Sequence, residues 1–176
     1  MIAVQQGEVD KMGQLFERHH RRLYDFCHRM TGSQAVSEDL VQEAFMRALK
    51  YRTSFRGDSD FLPWLYRLAR NVCYDHFSKS GRMSLADTDP PERVSPEPSA
   101  TDNAVRNEQI CLLRHALLRL PLERREALVL SRFEFRSYSE IADLMETSVG
   151  AVKVKVHRAM NQLREIYSEM IEEAES

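Results

Sequence analysis

The sequence lacks the marks of a secreted, membrane-spanning or strongly basic protein. Its three cysteines, Cys27, Cys73 and Cys111, are widely spaced without a CxxC pair, which argues against a disulfide framework and favours a reducing compartment. Apolar runs reach about four residues, whereas a membrane-spanning helix needs about 20, and the start has no charged-then-apolar secretion pattern. The formal charge is −2. We therefore expect a cytoplasmic protein that contacts nucleic acid only locally or with a partner's help.

The composition is otherwise that of a globular helical protein with one interruption. The 176 residues, 43% hydrophobic and 30% charged, suffice for one medium domain or two small ones. Between residues 81 and 103 helical periodicity stops, and prolines and acidic residues dominate, which is typical of a flexible linker. We predict an all-α fold with two small helical domains, over residues 1–80 and 104–176, joined by a disordered acidic linker over residues 81–103.

Residues 137–165, reading SYSEIADLMETSVGAVKVKVHRAMNQLRE, predict a helix-turn-helix. Ser137 and Glu140 form an S-x-x-E capping box that begins a short helix. Thr147 or Ser148 can cap a second helix. Its apolar positions recur at steps of three and four, and they are Val149, Val152, Val156, Met160, Leu163 and Ile166. This stripe is expected to be buried.

The opposite side of this second helix is basic and suggests a surface that reads duplex DNA. Small residues near its start would let the backbone approach a groove, and the cations would neutralise phosphates. Val154 offers an apolar contact to a thymine methyl. The candidate DNA-contacting residues are Ser148, Gly150, Ala151, Lys153, Val154, Lys155, His157 and Arg158. The same pattern also fits an ordinary helical hairpin with a basic surface.

Two helices of the first domain, which follow a core helix over residues 14–30, carry faces that suggest binding. The helix that Ser33 or Ser37 can cap shows an acidic face, which fits either a solvated surface or a docking site for a basic partner. In the helix that Pro63 begins, aromatic residues alternate with arginines. Aromatic rings can stack unpaired bases while cations hold the backbone, although about half of these rings must fill the core of so small a domain.

Four motifs in order resemble the extracytoplasmic-function sigma factors of bacterial RNA polymerase. They are DLVQEAFMRAL at 39–49, FRGDSDFLPWLYRLARNVCYD at 55–75, LPLERREALVL at 120–130 and SYSEIADLMETSVGAVKVKVHRA at 137–159. The resemblance covers nearly the whole chain. It implies a promoter-specificity subunit with no catalysis, cofactor, metal or small-molecule substrate of its own.

The resemblance also implies roles for individual residues. Asp39, Gln42, Glu43 and Phe45 would dock on the coiled coil of the polymerase's largest subunit. The loop at 54–60 and the helix after it would open the minus-ten element and capture a flipped base. The residues implied there are Phe55, Arg56, Asp58, Trp64, Arg67, Arg70, Asn71 and Asp75.

Further partners follow from the same resemblance. The helix-turn-helix would read the minus-thirty-five element, with the polymerase flap region as a second contact of that domain. The acidic linker would pass through polymerase channels built for nucleic acid. An anti-sigma factor is also implied, and it could hold the protein at the inner face of the membrane.

The chain departs from the family pattern at three places. Phe135 and Glu146 stand where the family usually has glycine. Because a bulky residue is costly at positive φ, we expect a different turn geometry there. Val154-Lys155 replaces the usual Ser-Arg. The lysine ammonium is a compact charge, whereas the arginine guanidinium is a planar group with forked donors, so the promoter preference is expected to differ.

Two other classes of protein remain as alternatives. A stand-alone helix-turn-helix repressor or activator would be basic, with a dimerisation helix and a ligand or receiver domain, and the chain shows none of these. A metal-dependent enzyme or sensor could use His19, His20, Cys27 and His28, or the pair Cys73 and His76. Their number and spacing fit no zinc signature.

Overall fold

The computed structural model describes residues 1–58, 60–80 and 101–175, and within them it contains helices and turns but no strand. The helices are α1 (Ile2–Gln5), α2 (Lys11–Thr31), α3 (Gln34–Lys50), α4 (Phe61–Ser80), α5 (Thr101–Leu118), α6 (Leu122–Arg132), α7 (Tyr138–Leu144) and α8 (Val149–Glu175), with a 3-10 helix at Arg52–Ser54. The predicted all-α fold is confirmed. None of the described helices is both long enough and apolar enough to cross a membrane.

The chain divides into two compact units, Met1–Asp87 and Thr88–Ser176. The predicted linker lies outside the described residues as far as residue 100, so its disorder stays a prediction. Helix α5 begins at Thr101, slightly before the predicted domain start at 104.

The core of the first unit lies among α2, α3 and α4. Its largest fully buried side chains include Phe26 from α2 and Tyr66 from α4, whose rings meet edge to face at 5.3 Å. Helix α3 begins at Ser33, whose hydroxyl accepts a hydrogen bond from the Val36 amide. Phe16 lies within the core helix predicted over residues 14–30 but is 37% exposed, so the beginning of α2 extends past the core.

In the second unit, α5, α6 and α7 pack against the long helix α8. Four consecutive α6 residues, Ala127 to Leu130, are buried. Most of the predicted α8 stripe is buried or half-buried, but the prediction for Val149 is wrong, because this first residue of α8 is 40% exposed. The stripe therefore reaches solvent at its amino-terminal end.

The turns on either side of α7 keep the left-handed geometry in spite of their side chains. Phe135 and Glu146 both have φ of 52°, so the expectation of a different turn geometry is wrong. The reason is that backbone hydrogen bonds across these turns satisfy carbonyl groups at the carboxyl-terminal ends of α6 and α7. After α7 the Thr147 amide donates to the Ala142 carbonyl oxygen (2.9 Å), which requires a left-handed residue between them.

Candidate functional site

The predicted helix-turn-helix is present in the second unit. Helix α7 begins at a complete capping box, in which the Ser137 amide donates to Glu140 Oε2 (2.8 Å) and the Glu140 amide donates to Ser137 Oγ (3.3 Å). Hydrogen bonds from the Ser137 amide and hydroxyl, and then from Arg136, lower the pKa of the Glu140 carboxyl. Helix α8 follows Ser148, whose hydroxyl accepts from the Ala151 amide (3.2 Å). Ser148 is therefore the cap of the second helix.

The outward face of α8 carries most of the predicted duplex-reading residues. The exposed ones are Gly150, Lys153, Val154, His157 and Arg158, and Ala151 is half-buried. A Cβ atom at Gly150 would meet only the Ser148 hydroxyl, at 3.9 Å, so the backbone is open to close approach. Val154 is 48% exposed, as an apolar contact to a base would require. This face therefore combines cations, accessible backbone and an apolar side chain.

Lys155 is placed differently from the other predicted cations of α8. Its Nζ atom lies 2.6 Å from Glu123 Oε2 of α6, and its side chain is only 30% exposed. The ion pair ties Lys155 to the body of the unit. Sequence reasoning missed Glu123 because the pair depends on how α6 packs against α8.

A basic groove of about 220 Å³ lies beside the exposed face. Its lining residues are Arg132, Tyr138, Lys153, Val156, His157, Met160, Asn161 and Arg164. Arg132 is the last residue of α6, and no sequence pattern indicated that it would lie beside α8 residues. The groove extends the positive surface that a phosphate backbone could contact.

The loop between the 3-10 helix and α4 has a buried aromatic residue at its start and exposed polar residues after it. Phe55 is only 6% exposed, and its ring meets that of Trp64 edge to face at 5.4 Å. Phe55 therefore anchors the loop and does not itself face solvent. Arg56 and Asp58, two of the predicted minus-ten residues, are exposed just beyond it, while Trp64 is half-buried.

Along α4 the predicted polar residues share one side. Arg67, Asn71 and Asp75 are exposed at four-residue steps, which places them on a single helical face. Arg70 is half-buried, with its guanidinium 4.7 Å from the centre of the Tyr74 ring, a cation–π geometry. Arg67, Asn71 and Asp75 therefore form one exposed polar face of α4.

The predicted docking residues on α3 are only partly together at the surface. Asp39, Gln42 and Glu43 are exposed on one side of the helix. Phe45 is 6% exposed and packs edge to face on Phe16, with ring centroids 5.0 Å apart. Phe45 therefore supports α3 from inside, and the exposed side consists of the three polar residues.

Arg47 connects the acidic side of α3 to α4, a role that sequence reasoning missed. It hydrogen-bonds Glu43 Oε1 through Nε (2.7 Å) and Asp75 Oδ2 through Nη1 (2.8 Å). The hydrogen bond to Glu43, followed by the one to Asp75, raises the pKa of Arg47. One guanidinium thus joins a predicted docking residue to a predicted minus-ten residue.

The residues weighed as metal ligands have other surroundings. His19 lies against the Phe61 ring at 5.5 Å, and burial is the main cause that lowers its pKa. Cys27 and Cys73 are buried, and hydrogen bonding to Cys73 raises the pKa of the Cys27 thiol. Across residues 1–58, 60–80 and 101–175, no group of three or more His, Cys, Asp or Glu could hold a metal ion.

Two family descriptions and several known proteins match this chain. Sigma-70 region 2 matches residues 15–83 and Sigma-70, region 4 matches residues 112–163. The chain is 33% identical over 168 residues to RNA polymerase sigma factor CarQ of Myxococcus xanthus, covering 93% of each. It is 32% identical over 165 residues to the ECF RNA polymerase sigma-E factor of Escherichia coli K12, covering 89% of this chain and 86% of that protein.

A solved structure agrees with these sequence matches. The sigma factor RpoE in complex with the anti-sigma factor NepR from Bartonella quintana has a TM-score of 0.68 and 28% identity to this chain, covering 89% of this chain and 96% of that one. The resemblance inferred from the four motifs is confirmed. The chain belongs to the sigma-70 family of RNA polymerase sigma factors, within its extracytoplasmic-function (ECF) group.

Proposed function

We propose that this protein binds core RNA polymerase in the cytoplasm and directs it to a specific set of promoters, with no catalytic activity of its own. The observation that carries the proposal is the exposed basic face of α8. The helix begins at a capping residue, and its backbone at Gly150 is accessible to a ligand. A helix of this kind, placed second in a helix-turn-helix, is suited to the major groove. Its position within the match to Sigma-70, region 4 supports the minus-thirty-five element as its target.

The first unit supplies the second promoter contact in this proposal. Duplex opening costs stacking energy, which a protein recovers by holding the released bases. We assign to one surface the exposed Arg56 and Asp58 of the loop and the exposed Arg67 and Asn71 of α4, with the half-buried Trp64 between them in the sequence. This surface, within residues 1–80, would hold the opened minus-ten element.

Docking on the polymerase is assigned to α3 and to the second unit. The exposed Asp39, Gln42 and Glu43 would face the coiled coil of the largest subunit, a contact that favours opposite charge across the interface. The second predicted domain, over residues 104–176, would contact the flap region. These contacts compensate for the formal net charge of −2, which gives the free chain little attraction for DNA.

Control by an anti-sigma factor is the last part of the proposal. The RpoE structure was solved with the anti-sigma factor NepR, and an inhibitor of the same broad kind would cover DNA- or polymerase-binding faces of this chain until released. An inhibitor tethered to the membrane would hold the chain at its inner face.

Reconstitution with core polymerase tests the function. Run-off transcription from genomic fragments should give discrete transcripts only when both core and this protein are present. Mobility-shift assays with the protein alone should show no sequence-specific complex. A specific complex without core, together with no transcript in its presence, would contradict the proposal and favour a stand-alone helix-turn-helix regulator.

A further inference from the structure

The first helix of the chain contacts the loop that the proposed function assigns to the minus-ten element. The Gln5 side-chain amide donates to the Arg52 carbonyl oxygen (2.7 Å) and to the Phe55 carbonyl oxygen (2.6 Å). A primary amide has two N–H donors, so both are used. Arg52 is the first residue of the 3-10 helix Arg52–Ser54, and Phe55 is the residue that directly follows it. One side chain therefore holds both ends of the turn that leads into the loop.

Apolar contacts fix α1 next to the same loop. Val4 is fully buried, so the helix is attached to the body of the unit. The Ile2 side chain lies 3.6 Å from the Cβ position of Gly57. Helix α1 thus meets the loop twice, at its base through Gln5 and near its tip through Ile2.

The exposed part of the loop depends on what holds its base. Beyond Phe55, residues Arg56, Gly57 and Asp58 are all exposed. The Phe55 ring meets the Trp64 and Phe61 rings edge to face, with centroids at 5.4 and 6.2 Å. These contacts fix the side chain of Phe55 but not the direction of its carbonyl group. Gln5 supplies that constraint, because its hydrogen bond aims the Phe55 carbonyl and so orients the following peptide.

We propose that Gln5 is a positioning residue for the minus-ten loop: it holds the backbone at Phe55 so that Arg56 and Asp58 face the opened strand before DNA arrives. This inference rests on the proposed function of the loop. Gln5 makes no contact with DNA itself. Its effect is to lower the conformational entropy cost of binding the opened strand, since a loop already held in its binding conformation loses less freedom on binding.

Three variants of the full chain separate this role from general destabilisation. Gln5→Glu keeps the size of the side chain but turns oxygen atoms towards two carbonyl oxygens, whereas Gln5→Ala removes the contact. Gln6→Ala is the matched control, because Gln6 is exposed one position away. Circular dichroism should show the same helix content in all three.

Hydrogen exchange of the free protein tests the hydrogen bonds without reference to DNA. The Ser54 and Phe55 amides, which donate to the Tyr51 and Arg52 carbonyl oxygens, should exchange about tenfold faster in Gln5→Ala, the change expected for two ordinary hydrogen bonds, and faster still in Gln5→Glu. The control should match wild type. Unchanged exchange in both Gln5 variants would overturn the inference, whatever the loop does in transcription.

Promoter assays with holoenzyme then test the positioning role. Both Gln5 variants should form open complexes on linear promoters about five- to tenfold less well, with a flatter base preference in the minus-ten element, a size that again follows from two hydrogen bonds. Closed-complex binding should be unchanged. A loosened loop with normal opening and normal base preference would overturn the positioning role. Failure of the proposed function would be distinguishable, since wild-type holoenzyme would then give no promoter-specific transcript.

Discussion

Phe135 and Glu146 have strained backbone conformations, since both are non-glycine residues with φ of 52°. The left-handed region costs a non-glycine residue about 1–2 kcal/mol. Phe135 does not recover this cost by burial, because it is 84% exposed. Phe135 therefore holds a strained backbone conformation without a compensating gain from burial.

Glycine at either turn should therefore stabilise the protein. We expect Phe135→Gly and Glu146→Gly each to raise the free energy of unfolding by about 0.5–1 kcal/mol, less than the full strain because glycine also gains freedom in the unfolded chain. Urea unfolding followed by circular dichroism measures this. Phe135→Ala and Glu146→Ala are the matched controls, since they keep the Cβ atom and hence the strain. Equal gains in the alanine variants would show that φ is not the cause.

The ion pair of Lys155 predicts unequal roles for two lysines of α8. Lys153→Ala should reduce the salt slope of promoter binding by holoenzyme by about one unit, as the loss of one phosphate contact does. Lys155→Ala should change it much less, because Glu123 already neutralises that ammonium at 2.6 Å. The measurement is binding to a promoter fragment across a range of salt concentrations. Equal slope changes for both lysines would show that Lys155 leaves Glu123 in the complex.

At the scale of whole helices, the exposed side of α3 predicts a docking defect without unfolding. Asp39→Lys combined with Glu43→Lys should weaken co-purification with core polymerase, because a face suited to a basic partner becomes repulsive. The fold should survive, since both residues are exposed and the Glu43–Arg47 surface pair contributes at most about 1 kcal/mol.

The control for this experiment carries the same change of charge on another helix. Glu17→Lys with Asp25→Lys places two lysines on exposed positions of α2. Core binding should remain close to wild type in that double variant. Similar losses in both would indicate a general charge effect and would remove the assignment to α3.

Helix existence and type could be predicted from the sequence where local chemistry decides them. The capping box at Ser137, the cap at Ser33 and the stripe through Val152 and Val156 all depend on residues within a few positions of one another. The contacts that were missed join residues far apart in the sequence. Neither the Glu123 partner of Lys155 nor the Phe16 partner of Phe45 could be seen from one helix alone, since each depends on how helices pack.

For the whole molecule, the central prediction is that promoter binding and promoter opening separate. Substitution of Asn71, or of the exposed loop residues Arg56 and Asp58, should impair open-complex formation in holoenzyme while leaving closed-complex binding largely unchanged. The physical reason is that stacking and backbone contacts recover about 1–3 kcal/mol per released base only after the strands part.

Permanganate footprinting of unpaired thymines measures this prediction on linear and on pre-melted promoters. A defect rescued by the pre-melted template indicates a role in opening, and one that persists indicates a role in holding the base. Trp64 is a poorer target, because it packs against Phe55 and its loss would disturb the aromatic base of the loop. Normal footprints on both templates for the Asn71, Arg56 and Asp58 variants would show that these residues do not contribute to promoter opening and that the loop is only a structural turn.

Arg47 makes two of these surfaces energetically dependent on each other. A single guanidinium pairs with Glu43, a predicted docking residue, and with Asp75, a predicted minus-ten residue. A polymerase group that competes for Glu43 would leave Arg47 more fully to Asp75, and by thermodynamic reciprocity an occupied minus-ten surface would alter the affinity for core in equal measure. Substitutions at Glu43 and Asp75 should then be non-additive in a double-mutant cycle, with promoter and polymerase each acting as the other's effector.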